Sequence, residues 1–385
     1  MTVKVTARGA ERWKQGHPWI YRSDVAEEPD KQPGIVSVSD RKGKVLGQAL
    51  YSPKSEIRLR LLTRGDEPID STWWTKRIGD AAEHRTAITA TAWRAVHAEG
   101  DGLPSLIVDK YGPYIVAQLL SAGLETARDD VITAIREVFG PAGILLRNDA
   151  GVRRHEGLAE EVVAAWGEVP QTVEVTEDGL RYLAAPWSGQ KTGAFLDQRE
   201  NRMMVGQHTR SGGRALDLFT YHGSFALHLA RNAKAVLAID QSAEALARGA
   251  ENARLNGITN IEWREANAFD FLRELERRRE QFDTIVLDPP AFAKSKANIE
   301  RAVAGYKEVN LRAMKILAPG GVLFTSSCSY HVSRDIFNAM LADAARDSGR
   351  RMQLLAATGA AGDHPELLNV PETGYLKGAL LRASV

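Results

Sequence analysis

The sequence predicts an α/β protein whose C-terminal half is a doubly wound, mainly parallel sheet. Three observations lead to this fold class. The chain has 385 residues, which is too long for one ordinary hydrophobic core. Residues 1–68 show short alternating apolar stretches, and residues 172–385 alternate between strand and helix patterns. Residues 69–171 mix both kinds of element, so we expect three domains with these boundaries.

Residues 1–68 are predicted to form a small β-barrel. Apolar and polar residues alternate over residues 34–40, a turn signal follows, and further strands are expected at 45–51 and 56–62. Cations and aromatic residues cluster near the start of this domain, namely Arg8, Arg12, Lys14, His17, Trp19, Tyr21 and Arg22. Such a mixture suits a nucleic-acid face, and it equally suits a core tryptophan flanked by solvated charges.

Charge and composition narrow the class of protein. The formal net charge is +1, but residues 1–64 hold 13 Lys and Arg against 7 Asp and Glu, which favours an anionic partner there. The single cysteine excludes an internal disulfide and a cysteine-based metal cluster. No stretch approaches the ~18 apolar residues of a membrane span, and no signal peptide is recognisable, so we expect a cytosolic protein without a membrane partner.

Residues 69–171 are predicted to be a small α+β connector. A long amphipathic helix is expected over residues 70–96, with Ser71 as its N-cap. The later elements are strands at 105–109, 114–119 and 143–147 and a helix at 125–139. No catalytic constellation is found in this domain.

Strands and helices alternate through residues 172–385, which predicts parallel strands with crossover helices. The expected strands are at 214–219, 235–240, 260–265, 282–288, 322–327, 352–356 and 375–381, and the expected helices at 224–232, 243–256, 268–279, 298–317 and 334–348. In such a sheet, ligands bind at the carboxyl edge.

The turn after the first of these strands indicates the class of cofactor. It contains Phe219, Tyr221 and Gly223, and it has one glycine where a dinucleotide fingerprint needs three. No phosphate-binding loop occurs elsewhere, which disfavours NAD, FAD and ATP. A cofactor without phosphates fits this turn better.

S-adenosylmethionine is such a cofactor, and polar residues end three successive strands. Asp240 is placed to bind the ribose hydroxyls, Asn267 can accept the adenine amine through its side-chain oxygen, and Asp217 can pair with the methionine ammonium. One acid after a strand is often only a helix N-cap. Three such residues, followed by Asp288 in an Asp-Pro-Pro turn, predict S-adenosylmethionine.

Cys328 follows the predicted strand at 322–327, and Asp288 ends the strand before it. A lone cysteine is most often inert packing. A nucleophilic sulfur beside an acid at a cofactor-binding edge is also the arrangement needed to methylate carbon 5 of a pyrimidine. The sequence therefore makes Cys328 and Asp288 candidate catalytic residues.

Distinctive short strings of residues occur along the whole length of the chain. They are Gly16-His17-Pro18-Trp19-Ile20, Ser52-Pro53-Lys54-Ser55-Glu56-Ile57-Arg58-Leu59-Arg60, Glu99-Gly100-Asp101-Gly102-Leu103-Pro104, Gln190-Lys191-Thr192-Gly193-Ala194-Phe195-Leu196-Asp197-Gln198-Arg199, Leu287-Asp288-Pro289-Pro290, Ser327-Cys328-Ser329 and Gly374-Tyr375-Leu376-Lys377-Gly378. With these strings the chain resembles the class I methyltransferases of bacteria and archaea that make 5-methylcytosine in 23S ribosomal RNA. The resemblance implies an N-terminal PUA domain, a connector and a Rossmann-like methyltransferase domain.

The resemblance also implies roles for individual residues. Cys328 falls on the family's nucleophile, and Asp288 falls on a residue bordering both methyl donor and target base. Asp217 and Asp240 fall on cofactor-binding acids, and a further string falls beside the cofactor pocket, namely Asp197, Gln198 and Arg199. The implied substrate is a cytosine in single-stranded or flipped-out ribosomal RNA, and relatives suggest a homodimer.

Two positions depart from the family pattern. Asn267 stands where related sequences often carry Asp, and Ser105 stands where Gly is common. A second cysteine, which a different subgroup carries beside the Asp-Pro-Pro turn, is absent. A second thiol therefore cannot release the product.

The expected mechanism begins with addition of the Cys328 thiolate to carbon 6, and Asp288 could protonate N3 if its pKa is raised. The base that removes the carbon-5 proton stays open among Lys294, His331 and water. Two other functions stay open as well. One is methylation of an exocyclic amine with Cys328 inert, and the other is a non-catalytic assembly factor that binds ribosomal RNA.

Overall fold

The computed structural model describes residues 1–28, 31–293 and 298–384. Contacts between Cα atoms divide the chain into two compact units. The N-terminal unit comprises Met1–Val175, Ala184–Leu196 and Gly362–Thr373, and the C-terminal unit comprises Thr176–Leu183, Asp197–Ala361 and Gly374–Val385. The predicted boundary near residue 68 lies inside the first unit, so a separate connector domain stays a prediction.

The first sheet of the N-terminal unit has six strands in the order β2-β6-β5-β4-β1-β3. They are β1 (Thr2–Val5), β2 (Trp19–Tyr21), β3 (Val25–Glu27), β4 (Gly34–Ser39), β5 (Val45–Tyr51) and β6 (Ile57–Thr63). The sequence prediction missed helix α1 (Ala7–Lys14), in which Thr6 accepts the N-cap hydrogen bond from Gly9 N. The helix buries Trp13 against this sheet.

The second sheet of this unit has five strands in the order β11-β10-β9-β8-β7. They are β7 (Ala92–His97), β8 (Leu106–Tyr111), β9 (Tyr114–Leu119), β10 (Gly143–Asn148) and β11 (Glu161–Gly167). The accompanying helices are α2 (Ser71–Glu83), α3 (Ala122–Glu125), α4 (Arg128–Phe139) and α5 (Val152–Glu156). The sheet and helices share one apolar core.

The predicted helix over residues 70–96 is wrong in its second half. Helix α2 ends at Glu83, and β7 begins at Ala92 and pairs with β8. Threonine and isoleucine residues dominate residues 86–91, and β-branched side chains lose rotamer freedom in a helix. The N-cap is Asp70, whose side chain accepts from Trp73 N, and not Ser71.

A two-stranded sheet, β12 (Val173–Glu177) with β13 (Leu180–Ala184), precedes the large sheet of the C-terminal unit. The large sheet has the order β16-β15-β14-β17-β18-β20-β19. Its strands are β14 (Arg214–Leu218), β15 (Ala235–Asp240), β16 (Ile261–Glu265), β17 (Phe282–Leu287), β18 (Leu317–Ser327), β19 (Met352–Thr358) and β20 (Lys377–Ala383). β14 to β18 pair in parallel, whereas β20 is antiparallel to both neighbours.

The described residues of this unit also form six α-helices. They are α6 (Arg199–His208), α7 (Ser224–Ala230), α8 (Ala243–Leu255), α9 (Ala268–Arg277), α10 (Ile299–Lys315) and α11 (Arg334–Ser348). Neighbouring residues of β17 belong to different apolar cores, Ile285 to one and Val286 to the other. The sheet is therefore covered on both faces, which confirms the predicted doubly wound α/β fold.

The strand order reverses between β14 and β17, and the carboxyl ends of β14, β15, β17 and β18 lie side by side. Ligands of open α/β sheets bind at this switch point. Among the residues that the structure describes, no helix has the length and apolar character needed to cross a membrane.

Candidate active site at the carboxyl edge of the sheet

Asp217 lies at the centre of this edge, near the end of β14. Its side chain is fully buried, and Oδ2 accepts hydrogen bonds from the Thr220 hydroxyl and from Ala226 N at 2.9 Å. Oδ1 is buried and has no hydrogen-bond partner among the described residues. Burial raises the pKa of Asp217 to about 7, and the nearby Asp288 carboxylate adds to the increase.

The turn after β14 has an unusual backbone. Phe219 and Tyr221 adopt left-handed conformations, with φ of 65° and 50°, and Gly223 follows with φ of 75°. A Cβ atom at Gly223 would lie 2.3 Å from the Trp263 ring, so both backbone and space require glycine. Left-handed non-glycine residues of this kind concentrate at functional sites.

Asp240 ends β15 and helps to hold the same turn. Its Oδ2 accepts from Tyr221 N at 2.9 Å, and its Oδ1 accepts from Ser242 N at 3.0 Å. Each carboxylate oxygen has a second lone pair, so Asp240 can still accept hydrogen bonds from a ligand.

Asn267 caps helix α9 with its side-chain oxygen. Its Oδ1 accepts from Phe269 N at 3.0 Å and from Asp270 N at 3.3 Å. An amide oxygen has two lone pairs. Both are used here, which argues against our expectation that this oxygen receives the adenine amine.

Gln198 brings the Asp-Gln-Arg string to Asp288. Gln198 Nε2 donates to Asp288 Oδ1 at 2.8 Å, and the Ser326 hydroxyl donates to the same oxygen. Gln198 is 2% exposed. Asp197, its neighbour, accepts from the Tyr375 hydroxyl at 2.7 Å. Arg199 is buried at the start of α6.

Cys328 directly follows β18, and its side chain is half-buried. Residues on both sides of Cys328, two positions before it and one after it, bond to the segment after β17. Ser326 donates to Asp288, and the Ser329 hydroxyl accepts from Ala293 N at 3.2 Å. The structure therefore brings the predicted thiol and the Asp-Pro-Pro turn together at the carboxyl edge.

Tyr306 of α10 contacts both the Asp-Pro-Pro turn and the turn that contains Cys328. Its hydroxyl lies 2.8 Å from Ser329 Oγ and 3.4 Å from the Pro290 carbonyl oxygen. Its side chain is completely buried, and burial raises the pKa of Tyr306, with Cys328 close enough to contribute. The sequence prediction missed Tyr306, because a tyrosine within an amphipathic helix carries no signal of its own.

Two further positions of the sequence analysis concern the carbon-5 base. His331 lies three residues after Cys328, and its ring packs edge-on against Tyr330 with centroids 5.1 Å apart. Lys294 lies outside the described residues. Both stay candidates.

The predicted cationic cluster of the N-terminal unit is partly neutralised. Arg8 pairs with the buried Asp24, and Arg12 Nη2 lies 3.7 Å from the same carboxylate. Trp19 Nε1 donates to Glu99 at 2.9 Å, whereas the fully buried tryptophan of the core is Trp13. The burial of Trp13 agrees in part with the interpretation of a core tryptophan, and the nucleic-acid face stays a prediction.

Comparisons with known proteins agree with this architecture. Residues 3–64 match the family of PUA-like domains, and residues 152–382 match the family of S-adenosylmethionine-dependent methyltransferases. The latter match covers more than half of the chain.

Solved structures share the whole fold. A protein described as a methyltransferase, solved with SAH, has a TM-score of 0.85 at 20% identity, covering 99% of this chain and 100% of that chain. A SAM-dependent methyltransferase from Streptococcus mutans has a TM-score of 0.84 at 20% identity with the same coverage.

Curated relatives are more similar in sequence. Ribosomal RNA large subunit methyltransferase I from Tolumonas auensis is 38% identical over 379 residues, covering 95% of both chains. The proteins of that name from Aeromonas salmonicida and Erwinia tasmaniensis are 39% and 37% identical, covering 95% and 99% of this chain and 95% and 100% of theirs. The chain therefore belongs to the S-adenosylmethionine-dependent methyltransferases, in the family of the ribosomal RNA large subunit methyltransferases I.

Proposed function

We propose that this methyltransferase transfers a methyl group to carbon 5 of a cytosine in large-subunit ribosomal RNA, with Cys328 as the nucleophile. The observation that carries the proposal is the pair of hydrogen bonds between the segment after β17 and the segment that contains Cys328. Ser326 and Ser329, on either side of Cys328, bond to Asp288 and Ala293. The names of the curated relatives support ribosomal RNA as the substrate.

The residues of this edge fit S-adenosylmethionine. Asp217 Oδ1 is buried without a partner among the described residues, and a ligand ammonium would supply one. Asp240 would accept from the ribose hydroxyls with its remaining lone pairs. The turn with Phe219, Tyr221 and Gly223 would lie against the cofactor.

The adenine contact is revised by the capping geometry. Because the Asn267 oxygen caps α9, its amide nitrogen would donate to a ring nitrogen of adenine. Gln198 and Arg199 would complete the cofactor pocket, as the resemblance implies. When bound, S-adenosylmethionine supplies an electrophilic methyl group.

Cys328 activates the cytosine. Carbon 5 of cytosine is a poor nucleophile, and addition of the Cys328 thiolate to carbon 6 converts the ring into an enamine-like species whose carbon 5 is reactive. After methylation, a base removes the proton at carbon 5. The electron pair of that C–H bond restores the 5,6 double bond and expels the sulfur as a thiolate.

Asp288 is proposed to act as a carboxylate. Its Oδ1 receives hydrogen bonds from Gln198 Nε2 and from the Ser326 hydroxyl, and donors of this kind favour the ionised form. As a carboxylate, Asp288 would accept a hydrogen bond from the exocyclic amine of cytosine and orient the ring. This role replaces the proton donation that we considered from the sequence.

A cross-linking experiment tests the proposal. Fluorine in place of hydrogen at carbon 5 blocks the release step, so ribosomal RNA containing 5-fluorocytosine should form a gel-stable adduct with the protein and S-adenosylmethionine. The Cys328→Ala variant should form none and should lose methyl transfer from labelled cofactor.

Other outcomes identify the two alternatives. Full activity of Cys328→Ala would indicate methylation of an exocyclic amine, which needs no thiol. Tight RNA binding without any methyl transfer would indicate an assembly factor. Either result would overturn the proposal.

The remaining parts of the proposal concern partners and place. We expect the PUA-like domain to bind RNA partly through phosphate contacts, so the affinity should fall as salt is added. We also expect a homodimer in the cytoplasm. Light scattering after gel filtration would report the mass of one chain if the dimer is wrong.

A further inference from the structure

A buried lysine lies beside the turn that carries Cys328. Strands β18 and β20 are antiparallel, and their register places Lys377 opposite Ser327. Lys377 Nζ donates to the Ser329 carbonyl oxygen at 2.8 Å and to the Tyr375 carbonyl oxygen at 2.9 Å. The Lys377 amine therefore lies on the carbonyl group of the residue that directly follows Cys328.

The burial of this lysine is exceptional, because Lys377 is 3% exposed. Lysines are almost never fully buried unless their charge has partners. Carbonyl oxygens can only accept hydrogen bonds, so Lys377 is the donor in both contacts, and these contacts offset part of the cost of burying its charged form. A charge in this position is screened much less than one on the surface.

We propose that Lys377 is a positioning residue that holds the Cys328 turn and whose positive charge stabilises the Cys328 thiolate. The inference rests on the proposed function, in which this sulfur is the nucleophile. The thiolate is the reactive form of cysteine, and a neighbouring lysine increases its population at neutral pH.

Other charged and titratable groups surround the turn. Asp288, at the end of β17, opposes thiolate formation. Tyr306, on α10, is neutral at neutral pH because burial raises its pKa. His331 belongs to the turn itself, and Lys377 comes from β20. Among the described residues, Lys377 is thus a basic group held on the carbonyl of the residue that follows Cys328.

The single cysteine makes a direct test possible, because alkylation of the native protein reports Cys328 alone. The rate of iodoacetamide modification is measured against pH without RNA or cofactor. We expect the pH midpoint of the wild-type alkylation rate to lie about one unit below the ordinary cysteine pKa of about 8.5. In Lys377→Gln this midpoint should return towards the ordinary value. Lys377→Arg, which keeps the charge, should stay near the wild type.

Controls separate the charge from simple loosening of the turn. Ser329→Ala removes hydrogen bonds to Ala293 and Tyr306 without changing charge, so it should alter the rate and not the midpoint. If Lys377→Gln does not fold, the wild type is compared in its native state and in urea. Equal midpoints in those two states, or equal shifts in Lys377→Gln and Lys377→Arg, would overturn the inference.

The two experiments distinguish failure of this inference from failure of the proposed function. A lowered midpoint that depends on Lys377 supports the inference even if Cys328→Ala keeps its methyltransferase activity. In that case the proposed function fails while the charge effect stands. If the midpoint is unshifted and the 5-fluorocytosine adduct forms, the inference about Lys377 fails and the proposed function stands.

Discussion

Gln198 holds Asp288 through a hydrogen bond whose direction the structure fixes. Asn201 Nδ2 donates to the Gly359 carbonyl oxygen at 3.0 Å and to Gln198 Oε1 at 2.6 Å. The Gln198 amide is thereby oriented, and its Nε2 faces Asp288 Oδ1 at 2.8 Å. The Asp-Gln-Arg string of the sequence thus acts as a donor to the Asp-Pro-Pro acid.

The first prediction replaces this donor with an acid. In Gln198→Glu, two carboxylates face each other in a buried site, and like charges at this distance share a proton. We expect kcat/KM at pH 8 to fall about 100-fold, and the loss to shrink as the pH is lowered and the introduced carboxylate becomes protonated. Methyl transfer to RNA is measured from pH 6 to pH 9.

The matched control is Gln198→Ala, which removes the donor and adds no charge. Its loss should be smaller and should not depend on pH over the same range. A Gln198→Glu enzyme with wild-type activity at pH 8 would show that the hydrogen bond to Asp288 has no part in the reaction.

Helix α6 was missed, but the order of strands and helices from β14 to β20 could be predicted because buried parallel strands are short apolar runs between longer amphipathic helices. The prediction of 235–240 and 334–348 agrees with β15 and α11 to the residue. Polar residues at carboxyl ends of parallel strands must meet, so Asp217, Asp240 and Asp288 could be grouped.

The remaining elements depend on contacts that no local pattern records. Helix α1 lies in a segment rich in charges, and only the sheet beneath it explains why Trp13 is buried. Lys377 is distant in sequence from Cys328, and the antiparallel pairing of β18 with β20 brings it to the turn. The use of the Asn267 oxygen as a cap likewise depends on where α9 begins.

The second prediction concerns Asp217 and the pH dependence of cofactor binding. In the protein without cofactor the pKa of Asp217 is about 7, so it is mostly protonated at pH 6. Pairing with an ammonium requires the carboxylate, so we expect the Kd for S-adenosylmethionine to fall roughly tenfold from pH 6 to pH 7.5. Calorimetric titration measures this, and Asp217→Asn should bind weakly with little dependence on pH.

The same residue links stability to pH. Its pKa rises from 3.8 in the unfolded chain to about 7 in the folded protein, so the folded state binds more protons between these values. Stability contributed by the protonated form is lost as the pH rises towards 7. Without cofactor, the free energy of unfolding of Asp217→Asn relative to the wild type should therefore increase by about 2–3 kcal/mol when the pH is raised from 5 to 8.

Urea unfolding at these two pH values measures the difference. A constant difference between variant and wild type would mean that Asp217 has an ordinary pKa. That result would also remove the reason for the expected change in cofactor affinity.

The third prediction concerns the backbone strain at Ser105. Its φ is 66°, a left-handed conformation that costs an L-residue roughly 1–2 kcal/mol. Ser105→Gly relieves this strain, and part of the gain is offset by the greater entropy of unfolded glycine. We expect the free energy of unfolding to rise by about 0.5–1 kcal/mol.

Ser121→Gly is the control for this change. Ser121 has extended backbone and caps α3 by accepting from Leu124 N, so the same substitution should destabilise the protein. If both variants lose stability, the conformation of Ser105 is not the source of strain.

The fourth prediction separates two reasons for glycine at position 223. Gly223 has a φ of 75°, and a Cβ atom there would lie 2.3 Å from Trp263. Gly257 has a similar φ of 64°, but a Cβ atom there would have no neighbour within 4 Å. Gly257→Ala should therefore lower the free energy of unfolding by only about 1 kcal/mol, through backbone strain, and should keep cofactor affinity.

Gly223→Ala should lower the free energy of unfolding by at least about 2 kcal/mol more than Gly257→Ala does, because the Trp263 ring or the turn must move. The displaced turn includes Tyr221, whose N–H holds Asp240, so cofactor affinity should fall as well. Trp263→Leu in the same chain should restore part of both. Equal losses in the two alanine variants, measured by urea unfolding, would show that the turn accommodates the methyl group and that packing against Trp263 does not set its geometry.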